Sequence, residues 1–244
     1  MRRWPHLFAA ALMGGLCLVA ASCAAEAPTA QSSEKAMLLP EFPLALGTTW
    51  VYTYVPYEPL ESDPTQIVTA TYMMTETVVE TAIEVPYLFV RVQRDINLVS
   101  STSLRYVTLP SDEFWYVISG TLVFEETQSP DFAAFDPVAS HLAYAFPLAD
   151  GKQWCPFQYD PKNPDKPEVL YCQANGLRTA IATDAYETPT GSVTDCYDIS
   201  EAFLSGGVIR RFCNGIGVVA ARYDHAGTRF GFEQTLVSYT APSP

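Results

Sequence analysis

Beyond Pro40 the side chains of this sequence change character every second residue, and that period restricts the chain to β-structure more tightly than any other feature. Residues 50–55, 67–74, 87–92, 105–109, 114–118, 122–125, 177–182, 193–199, 208–212, 218–223 and 230–239 are rich in β-branched and aromatic side chains, which suit a pleated, half-buried surface. Turn chemistry falls between them: Ser119-Gly120, Asn175-Gly176, Asn214-Gly215 and Ala226-Gly227. Short connections of this kind join antiparallel neighbours. Most of the 19 prolines lie between the runs, where they remove no ladder hydrogen bond. One stretch, residues 131–144, spaces Phe132, Phe135, Val138 and Leu142 by three and four, which predicts a short helical insert cut by Pro137. The expected fold is therefore all-β: an antiparallel meander forming a curved half-barrel or a sandwich, with one short helical insert.

A nine-residue element occurs twice. Phe42-Pro-Leu-Ala-Leu-Gly-Thr-Thr-Trp50 and Phe146-Pro-Leu-Ala-Asp-Gly-Lys-Gln-Trp154 agree at Phe, Pro, Leu, Ala, Gly and Trp. The Pro fixes an extended approach, the Gly permits a tight bend, and Trp50 and Trp154 are expected to seat against the sheet as structural anchors. Two copies fit either duplicated halves or one device used twice. Because the second copy runs into Cys155-Pro156 and a proline-rich loop, a single β-rich domain spanning residues 41–244 with a pseudo-repeat is expected.

The N-terminus carries a different signal. Arg2 and Arg3 precede a charge-free apolar run over residues 7–21, which ends in small residues before Cys23. As a helix this run spans roughly 22 Å, short of the ~30 Å hydrocarbon core of a bilayer. It has the layout of a secretory signal. Val19-Ala-Ala-Ser-Cys23 resembles the lipobox of bacterial lipoproteins, which implies removal of residues 1–22 and lipidation of Cys23. Residues 23–40 then read as the lipidated Cys and a flexible tether. Ser32-x-x-Lys35 lies inside it and matches the S-x-x-K of penicillin-recognising enzymes, but their S-D-N and K-T-G elements are absent.

The formal charge of −13, from 14 Lys+Arg against 27 Asp+Glu, repels a phosphate backbone and excludes nucleic acid as a partner. Phe, Tyr and Trp number 13, 14 and 4 while charged residues make up only 17%, so a sizeable core is available and a disordered chain is excluded.

Four cysteines remain after export and lipidation: Cys155, Cys172, Cys196 and Cys213. An even number in an exported domain implies disulfides. Three connectivities are open, yet each sequential pair is 17 positions apart, and Cys196 and Cys213 flank the Ser205-Gly-Gly207 turn of a hairpin. Cys155–Cys172 and Cys196–Cys213 are the expected bonds. That spacing is wrong for a zinc knuckle, so no metal and no cofactor are expected. The loop over residues 160–168 gathers four oxygen-bearing side chains, but it lacks the glycine of an EF-hand and interleaves two lysines.

Glu76, Glu80 and Glu84 fall on one face of a strand, which an outward polar face explains; Asp131 and Asp136 flank an aromatic pair. His141 and His225 are the only histidines past the signal, and no G-x-S-x-G, H-E-x-x-H, P-loop or dinucleotide fingerprint occurs. No catalytic residue is assigned.

The opening F-P-L-x-x-G-x-x-W-x-Y at Phe42 to Tyr52, T-P-x-G-x-x-x-D-C at Thr188 to Cys196 and G-x-G-x-V at Gly215 to Val219 resemble a loose group of uncharacterised bacterial lipoproteins. These are similar in pattern to half-barrel proteins of the lipoprotein-carrier type. The resemblance implies a concave apolar face, without an assigned activity. Together these features predict a non-catalytic, lipid-anchored, extracytoplasmic protein of the bacterial cell envelope, acting as a binding or envelope-structural module. Its partners are then the membrane, through the N-terminal lipid, and an apolar ligand or an envelope protein. The alternatives are a secreted carbohydrate-active hydrolase using a carboxylate pair and a carrier of an apolar ligand. Whether Trp115, Tyr116 and Phe124 line an open cavity or fill a closed core separates a carrier from an inert module.

Overall fold

A computed structural model describes residues 38–137, 139–156, 176–188, 191–203 and 205–242. The first meander comprises β1 (Thr49–Leu60), β2 (Asp63–Glu84), β3 (Tyr87–Ser101), β4 (Asp112–Ser119), β5 (Leu122–Glu126) and β6 (His141–Ala145). After it come β7 (Gln153–Trp154), β8 (Arg178–Thr183), β9 (Tyr186–Thr188), β10 (Gly191–Val193), β11 (Cys196–Phe203), β12 (Gly206–Cys213), β13 (Gly217–His225) and β14 (Gly231–Thr240). β9 and β10 pair only with each other. The other strands form one antiparallel sheet in the order β6-β5-β4-β3-β2-β1-β14-β13-β12-β11-β8-β7. The fold is all-β, and the sheet curls until its two edges almost meet, so it is a nearly closed barrel and not a sandwich.

At the seam the Leu142 N–H donates to the Pro156 carbonyl, 2.7 Å. Arg178 Nη1 donates to the Leu142 and Ala143 carbonyls at 3.0 and 2.6 Å. A guanidinium thus binds carbonyls of β6 where ladder bonds are sparse, because its five donors meet several acceptors at once.

Both copies of the repeated element make the same bonds. Gly47 N donates to Val78 O and Val78 N to Thr48 O, both 2.9 Å; Gly151 N donates to Ala180 O and Ala180 N to Lys152 O, again both 2.9 Å. Gly47 and Gly151 take φ of 86° and 72°, a region that a Cβ disfavours. The second copy, contrary to what its flank suggested, does continue into a strand. β7 pairs with β8 as β1 pairs with β2, and it is short because Pro156 has no N–H to extend the ladder. The sheet therefore consists of two six-stranded meanders, each opened by the same lead-in.

The predicted helical insert is not formed; among the described residues there is no helix. Residues 127–137 and 139–140 run in turns and bends held by Asp131 and Asp136, whose carbonyls accept from Ala134 N and Ala139 N, 3.2 Å each. Pro137 stops propagation, and β6 takes up residues 141–145. The spacing of Phe132 and Phe135 serves another purpose. Phe132 stacks on Phe89 (centroids 4.5 Å apart) and meets Trp115 (5.3 Å), while Phe135 meets Tyr87 and Phe124 at 5.0 and 5.6 Å. This segment covers the outer face of β3–β5, which is why residues 114–118 are buried without interruption.

Two expected strands also differ. Residues 105–109 belong to an irregular loop, anchored where the Tyr72 hydroxyl donates to Val107 O, 3.2 Å. Residues 193–199 divide between β10 and β11, because Asp195 stands at φ 59°, outside the extended region.

Candidate functional site

Inside the barrel lies a cavity of about 310 Å³. Its floor is aromatic. Phe42 closes the end at which the chain joins the barrel, in edge contact with Tyr116, Tyr144 and Phe212 at 5.1–5.3 Å. The ring fits because position 217 is glycine: a Cβ there would stand 3.1 Å from it. Trp50 is 3% exposed and its Nε1 donates to Ile216 O, 2.6 Å. Trp154 is 7% exposed, and its Nε1 has no hydrogen-bond partner among the described residues. Towards the opposite end the lining becomes more open and apolar, with Tyr54, Ile96, Leu109 and Phe232.

Four charged side chains point into this space: Glu76, Arg94, Glu125 and Arg210. Arg94 Nε donates to Glu76 Oε1 at 2.9 Å and lies 4.5 Å over the Phe114 ring. Burial raises the Glu76 carboxyl above the ordinary carboxylate range, an effect the Arg94 charge opposes. Arg210 Nη1 reaches Glu201 Oε2 at only 3.4 Å. That oxygen already accepts from Arg178 Nε and Nη2 at 3.0 and 2.9 Å. Glu125 forms no ion pair among the described residues, although it attracts Arg210 across the cavity.

Three buried tyrosines, Tyr52, Tyr116 and Tyr144, stand among these charges. The Tyr52 hydroxyl donates to Val218 O, 3.1 Å. Tyr116 and Tyr144 are 8% and 4% exposed, and neither hydroxyl has a hydrogen-bond partner among the described residues. Burial pushes the Tyr144 phenol up to about 12 and the Tyr116 phenol well above its usual value, Glu125 adding to both. Two phenols, a carboxylate and a guanidinium thus converge in one space with bonding capacity to spare.

The three glutamates do not share a face. A bulge between Val78 and Glu80 shifts the β2–β3 register, and a one-residue shift sends following side chains to the other side of the sheet. Glu76 is therefore inside with Arg94, whereas Glu80 pairs outside with Arg91 at 2.8 Å and Glu84 is exposed. Of the three aromatics set as a test, Tyr116 lines the cavity while Trp115 and Phe124 pack on the outer face beneath Phe132 and Phe135. His141 Nε2 lies 3.1 Å from Arg178 Nη2 at the seam, and burial with that guanidinium holds its pKa below the usual value. His225 meets Thr228 Oγ1 at 2.8 Å in a turn.

Cys196 and Cys213 are directly opposed in the β11–β12 ladder and are joined by a disulfide, Cα–Cα 4.1 Å. Cys155 is disulfide-bonded; Cys172, its expected partner, lies outside the described residues, as do Cys23, Ser32, Lys35 and the 160–168 loop. Among the described residues no cluster of three or more His, Cys, Asp or Glu side chains is arranged to hold a metal.

Sequence reasoning overlooked Glu125, Arg210 and Tyr144. A signal for such positions was present. Arg210 alternates with Val208 and Phe212, Glu76 with Met74 and Val78, and Arg94 with Val92 and Ile96. A charge standing on the apolar stripe of a strand is an inward charge.

No protein-family profile matches the chain, and no curated protein matches it. Two solved structures are similar to it. One is a candidate lipoprotein from Parabacteroides distasonis ATCC 8503, at 13% identity and TM-score 0.45, covering 82% of this chain and 97% of that one. The other is a candidate exported protein with a YmcC-like fold from Bacteroides fragilis NCTC 9343, also at 13% identity and TM-score 0.45, covering 83% of this chain and 100% of that one.

Proposed function

We propose that this chain is a non-catalytic binding module of the cell envelope, exported, anchored through a lipid on Cys23, and holding its ligand inside the barrel. The observation that carries the reading is the cavity itself: a concave, aromatic-lined space with a few convergent polar groups is the usual form of a small-molecule site. The anchor follows from Arg2-Arg3, the charge-free run and the small residues before Cys23. Gly215 N donates to Glu41 O (2.8 Å) where the chain joins the barrel, so the chain enters the domain at the Phe42 end, opposite the open end. Mass spectrometry of the protein extracted from its host membrane tests both parts. It should show an N-terminal acylated Cys and a retained small molecule, and Cys23→Ser should move the protein out of the detergent phase. An unmodified N-terminus elsewhere overturns the anchor.

One observation favours the hydrolase alternative: Glu76 and Glu125 share the cavity. Glycosidases need one carboxyl as acid and a second, ionised carboxylate. Here Glu76 is held by Arg94 at 2.9 Å, and about 310 Å³ is at the small end for any ligand site. Turnover of a glycoside that is lost in both Glu76→Gln and Glu125→Gln would replace binding by hydrolysis.

A further inference from the structure

The cavity's polar groups specify more than a binding site. We infer that it takes an amphiphile with a zwitterionic head, inserted head first, the anionic group on Arg210 and the cationic group against Glu125. This rests on the reading of the barrel interior as a ligand site.

Arg210 and Glu125 are opposite in sign, line the same space and are not in ion-pair contact with each other. Arg210 is only loosely held by Glu201, whose accepting oxygen is bound more tightly by Arg178. Two charges facing each other across a gap are each left with unused bonding capacity. A ligand carrying both signs satisfies them without leaving a net charge buried, whereas an ion of one sign leaves the other charge uncompensated. Tyr116 and Tyr144, themselves 8% and 4% exposed and with hydroxyls that have no hydrogen-bond partner among the described residues, supply donors beside Arg210. Glu76 and Arg94, by contrast, are already matched.

The apolar part of the ligand follows from the other end. Tyr54, Ile96, Leu109 and Phe232 line the open side of the cavity, and Val99, Leu104 and Val107 are exposed on and after the end of β3, leading into Leu109. An alkyl chain leaving the head group therefore passes through apolar walls onto an apolar rim, and each methylene it buries there adds to affinity.

The test uses the full chain kept soluble by an amphipathic polymer, calorimetry, and the fluorescence of Trp50, which lines the cavity. The probes are dodecylphosphocholine below its micelle concentration, phosphocholine without a chain, dodecyltrimethylammonium and uncharged dodecyl maltoside. Dodecylphosphocholine should bind one to one and at least about tenfold tighter than dodecyl maltoside or phosphocholine. Glu125→Gln should weaken dodecylphosphocholine and dodecyltrimethylammonium about tenfold. Arg210→Gln should weaken only the former. If Arg210→Gln fails to fold by its thermal midpoint, Glu125→Gln and the comparison of head groups decide alone. Ala221→Phe, which fills the cavity wall, should abolish saturable binding of every probe. Equal affinity for zwitterionic and uncharged chains, or indifference to Glu125→Gln with Ala221→Phe still effective, overturns the head-group assignment and leaves the binding module standing. Phosphocholine binding as tightly as its dodecyl form overturns the amphiphile in favour of a free polar solute. No saturable binding of any probe, charged or uncharged, overturns the interior site as a whole.

Discussion

Replacing Arg178 by Met should open the barrel at its seam. Arg178 and Glu201 are 3% and 5% exposed and face each other as ladder partners in β8 and β11, joined by bonds of 3.0 and 2.9 Å. Two further bonds tie the guanidinium to the Leu142 and Ala143 carbonyls of β6. Met keeps much of the volume and removes all four of these bonds, together with the Nη2 contact to His141. Among the described residues, Glu201 would be left buried with only Arg210 at 3.4 Å. Breaking a buried pair by deleting one partner typically costs ~3–5 kcal/mol, most of it the penalty of the orphaned charge. Against the ~5–15 kcal/mol that holds a domain of ordinary stability, this is a large fraction. At ~2–4 °C per kcal/mol for a domain of this size, the thermal midpoint should fall by about 6–20 °C. The same reasoning predicts recovery: Arg178→Met with Glu201→Leu should regain much of the loss, since the buried charge is then gone. Hydrogen exchange should separate global from local effects, with amides of β6 losing protection first because Arg178 binds that strand. A single variant as stable as the parent, or a double variant less stable than the single, would refute the assignment of Arg178 and Glu201 as the seam's electrostatic clamp.

Three further outcomes follow from particular contacts. Trp50→Phe removes the Nε1 bond to Ile216 O and should cost about 1 kcal/mol or more, whereas Trp154→Phe, with no such bond to lose among the described residues, should cost less; urea midpoints of the two variants compare them, and equal losses would argue against the role of the bond. Cys196→Ala with Cys213→Ala opens a loop of sequence separation 17 and should lower stability by up to ~3 kcal/mol in the chain-entropy model; an unchanged midpoint in oxidising buffer would count against it. His141 has a pKa held below 6.5 in the fold by burial and Arg178, so the unfolded chain takes up its proton first, and the stability it contributes is present above that pH and lost as pH falls below it. The difference in midpoint between the parent and His141→Gln should therefore narrow between pH 7 and 5, and a pH-independent difference would contradict this.

What the sequence determined by itself was the class of structure and the material of the site. Period-two alternation with turn residues between runs leaves a chain no packed alternative to antiparallel strands, because the helix period would scatter the apolar side chains of β1 and β2 around every face. The paired Phe-Pro-Leu-Ala-x-Gly-x-x-Trp lead-ins were legible for the same local reason. A bend and an anchor are properties of a few consecutive residues. Tertiary structure alone decided the rest. Whether the sheet closes depends on contacts between Leu142 and Pro156 and between Arg178 and β6, groups separated by 14 to 36 positions in the chain, which no local pattern encodes. The bulge after Val78 placed Glu76 inside and Glu80 outside, although their spacing along the strand would put both on one face. The meeting of Glu125, Tyr116, Tyr144 and Arg210 required strands from both meanders to curl around a common interior. Alternation marks Arg210 as inward, but Tyr116 and Tyr144 lie in runs buried on both faces, and which inward positions face one another is set by strand order and register, fixed only when distant segments pair.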